Sequence, residues 1–214
     1  VAASMWQMLT ANNLYRKSNE VEKGHLLSET AMRAYADRTR WMLDTGDSRW
    51  SVTQIANSSR LEPDMLGYTN NRHTRAIELK QRPILRPENP AATGFIAVDR
   101  TGGAVACGIS MNNLFGTGRI APSTGILTAT IQNEEGAGSI SLGPMMVTNP
   151  HTKNLFWIGV ASGGVAAATA LINVASRSII DEEPLEKANA AKRYHHGGEA
   201  DITYYETGAS KQII

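Results

Sequence analysis

Residues 91–118 read AATGFIAVDRTGGAVACGISMNNLFGTG, and no other stretch constrains the fold as much. Residues 95–99 and 104–111 are strand-like runs of β-branched, aromatic and small residues. Arg100-Thr101-Gly102-Gly103 joins them, a hairpin connection because glycine tolerates the positive φ that such turns need. Side chains alternate along a strand, so Val105, Cys107, Ile109 and Met111 share one face of the second run. Ala106, Gly108, Ser110 and Asn112 share the other. The first face is apolar and is expected to meet a core. The second is small and polar and leaves room for a ligand. Thr93 leads the first run, where a β-branched residue needs no explanation beyond strand propensity. A glycine-rich loop, Phe115-Gly116-Thr117-Gly118, follows.

The 214-residue chain has room for one domain with a sizeable core, or for two small ones. Apolar residues make up 42% and charged residues 19%, as in ordinary globular proteins. A net charge of +1 creates no field that would gather nucleic acid or an anionic membrane. Basic residues do cluster at Arg72, Arg75, Lys80, Arg82 and Arg86, but among Pro83, Pro87 and Pro90 and without stacking aromatics beyond Tyr68. Residues 68–90 therefore read as a solvated linker, and no nucleic-acid partner is expected. No apolar run reaches the roughly 18 residues of a spanning helix, so no membrane partner is expected either. The first residues, VAASMWQML, lack the basic start of a signal peptide and read equally as a cut end inside a longer protein. Cys107 is the single cysteine and lies on the apolar face, where a buried, inert thiol is the natural reading.

Before the linker the periodicity is helical. Residues 2–15 carry Met5, Met8 and Leu9 at helical spacing. After a charged loop at 16–24, residues 26–43 carry Leu27, Ala31, Ala34, Tyr35, Arg38 and Met42. A third helix is expected over 51–66. Asp37 and Arg38 read as a structural acid–base pair that anchors the second helix. Beyond the first hairpin, residues 144–148 and 155–160 suggest another. Ala161-Ser162-Gly163-Gly164 then opens an apolar helix to about Ile180. Paired glycines at such a junction expose backbone N–H groups beside a positive dipole end, the physics of an oxyanion hole. Close packing explains them as well. A short helix to about Ala191 and an edge strand at 201–206 complete the pattern. His195 and His196 point to opposite sides of an extended segment and read as satisfied structural histidines. No metal and no cofactor is expected.

In order and spacing, AYADR (34–38), VDRTGG (98–103), FGTG (115–118), SGG (162–164) and KRYHH (192–196) together resemble the γ-glutamyltranspeptidases, a family of N-terminal-nucleophile (Ntn) hydrolases. The resemblance runs from about residue 2 to the C-terminus. It implies an α+β fold, part of an αββα sandwich with helices layered on two packed sheets. Residues 1–90 would be the helical end of a large-subunit-like region, closed by the linker 68–90. Residues 91–214 would be small-subunit-like. Nothing corresponds to the N-terminal part of the large subunit, so a missing segment of the same protein is an expected partner. A homo-oligomer stays open, and family analogy suggests a periplasmic or extracellular location.

The activity implied is transfer or hydrolysis of the γ-glutamyl group of glutathione-like amides, through an acyl-enzyme on a chain-leading Thr. Such a nucleophile needs a hydroxyl or thiol on the first residue of a chain, whose free α-amino group serves as base. The family exposes that residue by cutting its own precursor. Ungapped register sets Ala92 at the nucleophile, Thr93 one step later, and Gly94 where the family has His. With a one-residue gap, Thr93 is the nucleophile. Without it, the chain is an inactive relative acting as a binding or structural protein. The same register gives Ser110 the hydroxyl that holds the nucleophile's amine and Asn112 the amide that holds the glutamyl head. Ser141 matches a substrate-binding serine, and Gly163-Gly164 the oxyanion hole. After Gly125-Ile126-Leu127, where the family has acids for the substrate's α-amino group, only Glu134 offers one.

Overall fold

A computed structural model describes residues 1–43, 47–79, 92–130, 143–198 and 200–209. Its α-helices are α1 (Ala2–Thr10), α2 (Leu14–Lys17), α3 (Glu20–Trp41), α4 (Val52–Ile55), α5 (Ser58–Met65), α6 (Ala167–Ala175) and α7 (Leu185–Ala190). Its strands are β1 (Ala92–Val98), β2 (Ala104–Ser110), β3 (Met145–Thr148), β4 (Leu155–Gly159), β5 (Tyr194–His196) and β6 (Thr203–Tyr205). The architecture is α+β, and among the described residues the strands pair as three two-stranded antiparallel sheets, β1–β2, β3–β4 and β5–β6. The chain divides into two compact units. Described residues of 1–43, 47–79 and 172–209 form the first, and 92–130 with 143–171 form the second. Among the described residues no helix is long and apolar enough to cross a membrane.

The first unit is organised around α3. Asn19 starts it: its side-chain oxygen accepts from the Val21 and Glu22 N–H groups, while the Glu22 carboxylate accepts from the Asn19 N–H at 2.8 Å. This capping box satisfies donors that the helix itself cannot. The helix consequently begins at Glu20, inside the stretch expected to be a loop, because the cap and not the apolar spacing sets its start. Leu26, Leu27, Ala31, Met32, Ala34 and Tyr35 are buried along it, with Met5, Met8 and Leu9 from α1 and Leu61 from α5. The helix expected over 51–66 is broken into α4 and α5, since Asn57 caps the second piece by accepting from the Ser59 N–H at 3.0 Å.

Two buried ion pairs along α3 are well partnered. Arg33, 1% exposed, pairs with the Glu29 carboxylate and donates to Asp64 O and Thr74 Oγ1, each at 2.8 Å. Asp37 is fully buried and pairs with the Arg60 guanidinium, with that of Arg40 at 3.8 Å. It also accepts from Trp41 Nε1 at 3.2 Å and Ser4 Oγ at 3.4 Å. Burial of charge is tolerable only with such partners. Strand β5 lies against α3, where the His195 ring meets Tyr35 edge-on at 5.9 Å.

In the second unit Asp99 closes the β1–β2 turn. Its Oδ1 accepts from the Thr101 N–H (2.7 Å), the Thr101 hydroxyl (2.8 Å) and the Gly103 N–H (2.9 Å), and Gly102 takes φ 89°. The facing of this hairpin corrects the expectation from the sequence. Phe95, Val105 and Ile109 are 52%, 56% and 43% exposed, so the apolar face is the open one among the described residues. The small face is the one approached. A Cβ added at Gly94 would lie 2.3 Å from Val160 Cγ2, the close contact that a strand glycine permits. The expected apolar helix is also not uniform. A 3₁₀ turn (Gly164–Ala166) leads into α6, and a π-helical turn (Ser176–Ile180) ends it. There Ser176 and Ser178 hydroxyls donate back to Asn173 O (3.2 Å) and Val174 O (2.9 Å), which loosens the regular ladder.

Candidate functional site

The described site residues read from the sequence, Thr93, Ser110, Asn112, Gly163 and Gly164, all fall in the second unit. Glu134 and Ser141 lie outside the described residues. Strand pairing fixes which groups face each other. Ala92 is opposite Ser110, and Thr93 is opposite Ile109. Residues directly opposed across an antiparallel pair point to the same face. Ser110 therefore shares its face with Ala92, while Thr93 points to the other side with Ile109. Thr93 is exposed there and Ala92 is half-buried.

Beyond β2 the chain turns sharply. The Asn112 N–H donates to Ser110 Oγ at 2.9 Å, and Asn112 sits at φ 60°, a conformation that asparagine tolerates. Its side-chain amide donates to Thr130 O at 2.6 Å. The Thr117 N–H donates to Thr128 O at 2.9 Å, tying the glycine-rich loop to residues 128–130. Gly116 is required at this contact: at φ 54°, a Cβ would lie 2.2 Å from Thr128 O. Strand β4 touches β2 and leads towards Gly163 and Gly164, at φ 126° and 66°. Consecutive left-handed glycines just ahead of the helical segment can present N–H groups to a developing negative charge.

A second cluster, in the first unit, corrects the reading of His196 as a satisfied histidine. His196 is fully buried, its Nδ1 accepts from the Gly198 N–H at 3.1 Å, and its Nε2 has no partner. Burial pushes its pKa down to about 4, so the ring is neutral near pH 7. Nearby, His73 Nδ1 is 2.9 Å from Glu29 Oε1 and its Nε2 is 3.2 Å from Asp201 Oδ1. Burial works to raise the Glu29 carboxyl, but hydrogen bonds from the Thr74 N–H and Arg33 outweigh it and hold it below the ordinary range. The Ala76 N–H, donating to Asp201 at 2.6 Å, lowers that carboxyl too. His73 and Asp201 are remote in sequence from α3 and from each other, and no local spacing links them. Only the doubled histidine in KRYHH marked the place.

The family model described as Gamma-glutamyltranspeptidase matches residues 1–135. This chain belongs to the γ-glutamyltranspeptidase family. The family consists of Ntn hydrolases that act as transferases and hydrolases, and autoproteolysis is known for it. The glutathione hydrolase proenzyme of Pseudomonas aeruginosa is 28% identical over 209 residues, covering 86% of this chain and 36% of its own length. That of Escherichia coli K12 is 23% identical over 210 residues, covering 88% of this chain and again 36% of its own. The chain thus spans about a third of the length of these relatives. Among solved structures, γ-glutamyltranspeptidase from Pseudomonas nitroreducens complexed with L-DON is 25% identical, over 49% of this chain and 65% of that one, at a TM-score of 0.40. The T380A mutant of Helicobacter pylori γ-glutamyltranspeptidase is 21% identical, over 48% and 67%, at 0.39. At such TM-scores neither superposition bears on the arrangement of the site. The position across the ribbon from Ser110 carries the methyl group of Ala92.

Proposed function

We propose that this chain is part of a γ-glutamyltranspeptidase relative that keeps the framework for a small γ-glutamyl amide but not the nucleophile, and that it acts as a binding protein. The observation that carries this reading is the pairing of Ala92 with Ser110. Acyl transfer needs an oxygen to attack the γ-carbonyl and an amine to take its proton. The alanine methyl supplies no oxygen, so neither self-cleavage before residue 92 nor turnover follows from it. Ser110, Asn112 and the Gly163-Gly164 amides would then serve recognition, with Ser141 and Glu134 as further contacts to the glutamyl head. The α+β elements would belong to an αββα sandwich completed by other parts of the same protein.

A second reading has one feature in its favour: Thr93 is an exposed hydroxyl residue one step along. Cleavage before Thr93 would free its amine and allow γ-glutamyl transfer or hydrolysis. Intact mass of the full-length protein separates the two. A single uncut mass, with no chromophore released from a γ-glutamyl anilide, agrees with the binding role. Two fragments, the smaller beginning at Thr93, together with anilide turnover, overturn it. Ala92→Thr in the full-length protein should restore self-cleavage if loss of the nucleophile is the whole defect.

A further inference from the structure

We infer that His73, His196 and Asp201 form a binding site for one divalent transition-metal ion of the zinc type. None of these residues belongs to the set in the second unit proposed to meet the γ-glutamyl group.

The inference starts from His73, which is held between two carboxylates. Glu29 Oε1 accepts from the Thr74 N–H at 2.9 Å and its other oxygen is taken by Arg33, so the carboxylate is an acceptor on every side. His73 Nδ1 must therefore carry a proton and donate it to Glu29. In the neutral ring this leaves a lone pair on Nε2, 3.2 Å from Asp201 Oδ1. A second ring proton can fill the space between Nε2 and Asp201 Oδ1, and a metal ion bound to both atoms would take its place. The fully buried His196 adds a third side chain, with an Nε2 that has no partner. Ligand atoms from His73, His196 and Asp201 all lie within 4.8 Å of one another.

One ion satisfies all three. A nitrogen–nitrogen–carboxylate set suits a borderline ion such as Zn²⁺. The Glu29–His73 hydrogen bond is the outer-shell arrangement that fixes the tautomer of a metal-binding histidine. Zn–N bonds of about 2.1 Å at tetrahedral angles put two ligand atoms on one ion about 3.4 Å apart. From its widest separation of 4.8 Å the cluster must close by roughly 1.4 Å to meet that geometry, a movement that falls to the part-exposed His73 and Asp201. A cavity of about 430 Å³, lined by His73, Asp201, His25, Ser28 and Thr203, adjoins the cluster and supplies water for a fourth position.

Coordination through His196 Nε2 places the ring proton on Nδ1, which now accepts from the Gly198 N–H. Metal binding and that hydrogen bond exclude each other, so the peptide before Gly198 must turn as the ion enters. Gly197 and Gly198, the latter at φ 92°, give the backbone that freedom.

The test is titration of the chain, in chelator-treated buffer, with Co²⁺ followed by visible absorption, then displacement by Zn²⁺. One equivalent should bind with tetrahedral-type bands, and the Gly198 amide resonance should shift on loading. His73→Gln and Asp201→Asn should each weaken binding by at least about tenfold, whereas His25→Gln, a cavity residue outside the ligand set, should leave it unchanged. Asp201 is 41% exposed, so its amide variant should keep the fold, which circular dichroism checks. Absence of stoichiometric uptake overturns the site. So does uptake that survives both ligand substitutions or falls equally in His25→Gln.

Discussion

The two units hold themselves together by different means. Around α3, side chains answer one another: Arg33 with Glu29, Asp37 with Arg60, and methionines of α1 against leucines of α3 and α5. In the hairpin unit the bonds run between backbones, the tightest contacts are made by glycines, and Phe95, Val105 and Ile109 face outward. Substitution should therefore hurt the first unit through lost partners and the second through added atoms. An isolated two-stranded ribbon is marginal in water, so the second unit depends on how closely backbone approaches backbone.

The sharpest contrast comes from Glu29→Ala, which leaves the buried Arg33 guanidinium without its anion. A loss of about 3–5 kcal/mol is expected by denaturant unfolding with chelator present. A loss below about 1 kcal/mol would mean that the pair is not the support assigned to it. Next comes Gly116→Ala, which meets the Thr128 carbonyl oxygen in a left-handed backbone. It should cost about 1–3 kcal/mol, read as a lower melting temperature and faster exchange of the Thr117 amide. Phe95→Ser, on the open face, should change stability by no more than about 0.5 kcal/mol. A larger loss would show that this face is covered in solution and would break the contrast.

The smallest effect concerns the hairpin turn. Hydrogen bonds from the Thr101 hydroxyl and from the Gly103 and Thr101 N–H groups hold the Asp99 carboxyl below its ordinary value of 3.8. Between that lowered value and 3.8 the unfolded chain binds more protons than the folded one. The turn's stabilisation is present above this window and is lost as pH falls through it. An Asp99 carboxyl titrating below 3.8 by NMR, with Gly103 exchange rising in step, is the expected result. An unshifted midpoint would remove the turn from the second unit's supports.

How much of this was legible in the sequence follows from the kind of signal each feature leaves. The β1–β2 hairpin was plain from alternation and its Gly-Gly turn. Alternation identifies residues that share a face but is silent on which face is covered. That is decided by Val160 reaching Gly94, a tertiary contact that leaves no periodic trace. The true start of α3 was present in Asn19 and Glu22 but was outweighed by the later apolar spacing. The Ala92–Ser110 pairing is made within one hairpin, whereas the His73–His196–Asp201 cluster is assembled by folding alone.

The contact between Gly94 and Val160 restricts what position 94 can carry. A Cβ there would lie 2.3 Å from Val160 Cγ2, so any larger residue, a histidine included, needs Val160 to shrink beforehand or at the same time. The two positions can change only together.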